Sequence, residues 1–154
     1  MSTANEYLWF LNTLVRVRVS HTEGPDGLSV IEHQAPWSDS PPLHCHRTED
    51  EFFQILEGEF LFQLGDTQKR VGPGAMLLVP QGVVHTYRVE SKTGGRFVTV
   101  TRGGEFERFV RAISRPAERT ELPTRSGPPG PEAMAALTAV AGKHGIVFMG
   151  PPLH

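Results

Sequence analysis

One cysteine among 154 residues has nothing to pair with, so Cys45 closes no internal disulfide. No stretch approaches the roughly 18 consecutive apolar residues of a membrane-spanning helix. The N-terminus also lacks the basic start and apolar run of a secretory signal, so the expectation is a soluble, cytoplasmic protein with no membrane partner. Positive charge is not concentrated anywhere. A net charge of -2 without a Lys/Arg cluster argues against nucleic acid as a partner, because phosphate binding needs a basic face. Arg16 and Arg18, which alternate along one stretch, read as the solvated side of a strand. The length suits one domain with a real core and is too short for two barrels.

What the chain does have is turn-formers between short alternating stretches: it holds 16 Gly and 13 Pro, and they fall where apolar runs stop. LVRVRV from Leu14 to Val19 alternates, EGPDG supplies a turn, and LSVIEH resumes an extended pattern, which makes a hairpin. QAPWSDSPP reads as a loop forming one lip of a pocket. FFQILEGEFLFQLGD turns at Glu57 and Gly58 and again at Gly65 and Asp66, while AMLLVP reads as a short buried strand before VVHTYRV and RFVTVT. Many short strands at even spacing indicate an all-β jelly-roll barrel over residues 1–102. Beyond Arg102 the period changes. Phe106, Phe109, Val110 and Ile113 recur at helical spacing, 115–131 is a Pro/Gly-rich linker, and Pro131 opens an Ala-rich helix expected to pack closely and to stop at Gly145. Residues 103–154 therefore read as a helical C-terminal extension, with a mobile linker and a final GPPLH turned back toward the barrel mouth.

Four residues carry the chemistry. His44 and His46 stand one residue apart, so on a strand both imidazoles point to one face while Cys45 points to the other and packs on a neighbouring strand. Glu51 opens the next apolar stretch, sharing a face with Phe53 and Ile55, and a lone buried carboxylate is costly unless it is paired or metal-bound. His85, followed at period two by Tyr87 and Val89, can approach the same point from another strand. Three histidines and one carboxylate suit a divalent transition-metal ion with open coordination positions, although nitrogen and oxygen donors do not distinguish Fe, Ni, Mn, Co, Cu and Zn. His21, His33, His144 and His154 lack such a pattern and read as surface or satisfied core histidines.

The stretches around these residues, PPLHCHRTEDEFFQILEG within 42–58 and GAMLLVPQGVVHTYRV within 74–89, resemble the paired motifs of the cupin superfamily. The first reads HxH(x)4E(x)6G and the second G(x)5PxGxxH, and the only departure is Val89 where the family commonly has Asn. GGEFERFVRAISRPAERTELP is similar to the segment that follows the barrel in small, single-domain bacterial cupins of the quercetinase-like group. The resemblance implies a cupin barrel, a metal held by His44, His46, Glu51 and His85, and a homodimer formed through sheet contacts. Outward Phe52, Leu56 and Leu61 are candidates for that contact.

Strand parity places Phe53, Ile55, Phe60, Phe62 and Tyr87 around the ion, with Met76 or Leu77 added. An aromatic chamber without inward Lys or Arg suits an apolar, aromatic or enolic small molecule better than a sugar phosphate. The leading expectation is a metal-dependent dioxygenase, an oxidoreductase in which Glu51 ligates the ion and accepts a substrate proton. A non-redox metal-dependent cyclase or isomerase, or a non-catalytic binding module, are the alternatives, since the fold alone decides nothing.

Overall fold

The computed structural model describes residues 6–154. Twelve strands and two helices are present among them, running β1 (Tyr7–Phe10), β2 (Thr13–Val19), β3 (Leu28–Ala35), β4 (Leu43–His46), β5 (Glu51–Glu57), β6 (Phe60–Leu64), β7 (Thr67–Val71), β8 (Met76–Val79), β9 (His85–Val89), β10 (Gly95–Arg102), α1 (Glu105–Ile113), β11 (Arg115–Pro116), α2 (Pro131–Lys143) and β12 (Ile146–Gly150). Among the described residues no helix is long and apolar enough to cross a membrane.

The strands form two antiparallel sheets, ordered β11-β1-β2-β3-β10-β5-β8 and β12-β4-β9-β6-β7. The expected closed barrel is corrected here. The chain passes between the sheets through loops, so each sheet keeps its own hydrogen-bond ladder and its own edges, as a double-sheet jelly roll does. Alternation along β3 and β10 is strict: Ser29, Ile31, His33 and Ala35 are buried from β3, and Phe97, Thr99 and Thr101 from β10. Their parity fixes register, because a one-residue slip would turn the whole set outward.

Two apolar clusters fill the space between layers. One gathers Phe53, Ile55, Phe60, Phe62, Leu77 and Phe97; the other gathers Leu8, Val15, Val17, Ile31, Phe106, Phe109 and Val110. Close approach in the first cluster depends on Gly95, where an added Cβ would stand 2.5 Å from Phe60 Cζ. Gly95→Ala should therefore cost about 1–3 kcal/mol through overpacking, read as a lower denaturation midpoint.

Helix α1 lies as its stripe indicates, with Phe106, Phe109 and Val110 buried. Its acidic residue Glu107 is also buried. Oε1 accepts from Ser20 Oγ at 2.8 Å and Arg111 Nε at 3.0 Å, while Oε2 accepts from the His21 backbone N at 2.7 Å and Ser29 Oγ at 2.8 Å. His21 Nδ1 stands 3.0 Å from the same Oε2.

The tail departs from expectation in several places. Helix α2 starts at Pro131, but Ala141 is its one buried residue, with Leu137 and Val140 partly packed, because its Ala-rich faces offer little apolar area to bury. It lies on the surface. The linker is not loose: Trp9 Nε1 donates to Glu121 O at 2.8 Å, Arg125 donates to Trp37 O at 2.6 Å, and the Ser126 amide donates to Asn12 Oδ1 at 3.0 Å. The closing segment is a strand, β12, laid along β4 with Ile146 opposite His46 and Phe148 opposite His44. The last residues then reach the lip, where the Leu153 amide donates to Ser40 Oγ at 3.0 Å and Arg88 donates to His154 O.

Leu61 is buried, contrary to its expected outward position; its register partners are Arg70 and Arg88, whose long aliphatic stems can shield it. Phe52 and Leu56 are half-buried. Apolar side chains are exposed instead on edge strand β8, at Met76 and Leu78, and Leu77 is the residue that turns inward.

Candidate metal centre

Both sheets contribute to the site. β4 and β9 of one sheet supply the histidines, with His44 directly opposite His85, and β5 of the other supplies Glu51. The donor atoms of His44, His46, Glu51 and His85 lie within 4.8 Å of one another. Donors held at ~2.0–2.2 Å from one ion stand at most ~4.4 Å apart, so the four need close by only a few tenths of an ångström.

Backbone carbonyls orient two of the rings. His44 Nδ1 donates to Pro42 O at 2.7 Å, and His85 Nδ1 donates to Val83 O at 2.9 Å. A carbonyl only accepts, so Nδ1 carries the proton and a neutral ring presents the lone pair of Nε2 to the site. Pro41 O is held in turn by Thr86 Oγ1 at 2.7 Å, which ties the start of β4 to β9.

The remaining contacts fit a cation. His46 Nε2 is buried without a hydrogen-bond partner, 3.5 Å from Glu51 Oε2, and His85 Nε2 lies 3.2 Å from Oε1. Burial, followed by the neighbouring imidazoles, lowers His44 to about 3, and burial lowers His46 as well, so both are neutral donors near pH 7. Burial pushes Glu51 up, but the surrounding imidazoles, His46 foremost, outweigh it and hold the carboxyl at about 2. His85 is driven down by burial and raised on balance by its hydrogen bond to Glu51. A buried carboxylate facing three imidazoles with one orphaned nitrogen is a set that a divalent ion satisfies.

Above the donors opens a chamber of about 80 Å³. Phe53 and Tyr87 line it as expected positions, whereas Ile55, Phe60 and Phe62 do not: all three are fully buried in the core, with Phe60 and Phe62 packed against the back of the Tyr87 ring at 5.8 and 5.6 Å. Burial pushes the Tyr87 hydroxyl well above its ordinary value, so it stays a protonated donor. The other wall comes from segments whose aromatic residues read only as packing in the sequence: Phe10 of β1, Phe106 and Phe109 of α1, Leu137 of α2 and Phe148 of β12. The α1 stripe was visible, but nothing local says that a stripe faces a cavity and not solid core. His33 also reaches the chamber, and its strand parity with Ile31 and Ala35 is the signal that would have found it.

Glu49 links this wall to the ligands. From the turn between β4 and β5 its Oε1 accepts from the Phe106 amide at 2.7 Å and its Oε2 from the Glu105 amide at 3.2 Å, capping a helix whose own N-cap, Gly104, offers no side chain.

Residues 30–101 match the family model for the cupin domain, so this part of the chain is similar to the cupin superfamily. It is 33% identical over 89 residues to quercetin 2,3-dioxygenase of Bacillus subtilis (strain 168), a stretch covering 58% of this chain and 26% of that protein. The chain thus spans about a quarter of the curated relative it matches. Among solved structures it is similar to the polyketide cyclase RemF from Streptomyces resistomycificus, with a TM-score of 0.56 and 22% identity over 66% of this chain and 77% of that one. KdgF from Halomonas sp. gives a TM-score of 0.54 at 15% identity over 59% and 78%. These two likenesses show the fold.

Proposed function

We propose that the chain holds one divalent transition-metal ion through His44, His46, Glu51 and His85 and acts as a dioxygenase on a small aromatic or enolic compound. The observation that carries this reading is that four convergent donors line an aromatic chamber. The partial likeness to quercetin 2,3-dioxygenase supports it from the sequence side. Bound there, such an ion acidifies a coordinated hydroxyl and offers an adjacent place for oxygen.

The chain's own residues do the rest. Glu51 stands where it receives the hydroxyl proton as substrate docks, and Tyr87 donates to a substrate oxygen. Phe53, Phe97 and Phe106 exclude water, which strengthens each of these interactions. No Lys or Arg lines the chamber, which disfavours a phosphorylated substrate. Its volume is smaller than the roughly 150 Å³ apolar cavity that takes up benzene, so it encloses the metal-binding edge of a ring or enol and the remainder extends beyond it.

A non-redox cyclisation or isomerisation is the second reading, favoured by a buried carboxylate able to shuttle a proton without any change of metal oxidation state. Metal analysis of protein purified without added ions, followed by oxygen uptake with a panel of phenols and enols, separates the two. Stoichiometric iron, nickel or copper with oxygen consumption supports the dioxygenase. Turnover without oxygen uptake supports the second reading, and a protein that takes up no ion overturns both.

A further inference from the structure

His33 has no role in the donor set, yet it is 4% exposed and forms part of the chamber wall. Its ring is fixed on three sides. It stacks on Phe97 with centroids 4.6 Å apart and planes 7° from parallel, faces Phe106 at 6.2 Å, and joins Nε2 to Thr99 Oγ1 at 2.9 Å. Nδ1 has no protein partner among the described residues. An aliphatic or phenyl group would fill the same space, whereas the imidazole keeps a ring nitrogen that has no protein partner and is not sealed in the core, so it is open to a ligand.

Register places this imidazole relative to the donors. On β10, Thr101 lies opposite Glu51 and Thr99 opposite Phe53, while Phe97 lies opposite His33 on the other side. From Thr101 to Phe97 is four residues, roughly 13 Å along the strand, but the His33 ring leans back to Thr99 Oγ1, two residues or roughly 7 Å from Thr101. The chamber therefore has a metal-binding end at Glu51 and a second polar point at the His33 ring, with Phe53 and Phe97 between. Burial lowers His33 to about 4, so near neutral pH it is an uncharged group that can give or take one hydrogen bond through Nδ1.

Resting on the metal-centred reading above, we infer that His33 is a specificity-determining residue: its Nδ1 binds a second polar group on the substrate, carried across the ring from the oxygen that meets the metal. The substrate class is thus a small ring or enol bearing polar groups at both ends, and Thr99 is the positioning residue that holds the imidazole at the required angle.

The test compares two probes on protein loaded with Zn2+. 4-Nitrocatechol carries a polar group opposite a metal-binding oxygen, and 4-methylcatechol carries an apolar one of similar reach. The ratio of their affinities, from absorbance and calorimetric titrations, is measured in the wild type and in His33→Phe. The metal's own preference for the more acidic catechol is common to both proteins and cancels. The ratio should fall about 5-fold in His33→Phe, as expected for one lost hydrogen bond, and recover in His33→Gln. Should His33→Phe fail to fold, Thr99→Val is the second variant, and its ratio should fall as well because the ring loses its anchor. Both catechols binding with an unchanged ratio overturns the role of His33 and leaves the metal reading standing. Zinc-loaded wild type that binds neither catechol overturns both.

Discussion

Glu51→Gln is expected to reduce metal content from about one ion per chain to a small fraction and to abolish turnover, while costing the ion-loaded protein far more stability than the metal-free one. The two halves of that result have one cause. Glu51 is a buried carboxylate whose partners among the described residues are imidazoles, which outweigh its burial, so without a cation the amide gives up only that modest gain. The amide keeps the shape and removes the charge. With a cation present the loss is much larger, because a structural set of four donors is worth ~10–16 kcal/mol in apparent binding, about 3 kcal/mol per donor, or roughly a hundred-fold in affinity. Elemental analysis and thermal melts with and without added ion read both halves. A carboxylate that serves only as structural padding would give equal losses in the two melts, and that result would reject the metal assignment.

The second large effect concerns α1. Glu107→Ala should cost about 3–5 kcal/mol and lower the melting temperature by about 10 °C, because two hydroxyls and a backbone N–H lose their acceptor in a buried place. A pH dependence follows. Burial pushes Glu107 up, but the His21 amide and the Ser20 and Ser29 hydroxyls pull it down to about 2, below the ordinary 4.5. A depressed carboxyl stabilises the fold fully above the unfolded value and loses that contribution as pH falls from about 4.5 toward 2. Wild type should therefore lose stability across that window, and Glu107→Gln should start lower at pH 7 and lose less of it. Parallel acid-unfolding curves for the two proteins would remove Glu107 from this role.

The candidate donor cluster was legible in the sequence because strand parity and motif spacing are local: His44 and His46 share a face by period two, and Glu51 and His85 open strands bounded by recognisable turns. The two-layer arrangement was not, since a closed ladder and two separate ladders present the same alternation. Strands β1, β11 and β12 were missed for a related reason. YLWF is apolar at every position, Arg115–Pro116 is two residues long, and IVFMG becomes a strand through its distant partner β4. Glu49 and Glu107 were invisible as buried acids because a glutamate in a turn or on a helix normally meets solvent, and only three-dimensional placement brings amides and hydroxyls to them.

Strand β12 also sets the order in which the protein can mature. β4 is joined to β9 at a single register pair, whereas its ladder with β12 runs from Ile146 opposite His46 to Phe148 opposite His44. During synthesis the imidazole pair emerges long before the segment that braces it, and such long-range pairing forms slowly. The imidazole pair is thus fully braced only after β12 has laid itself along β4.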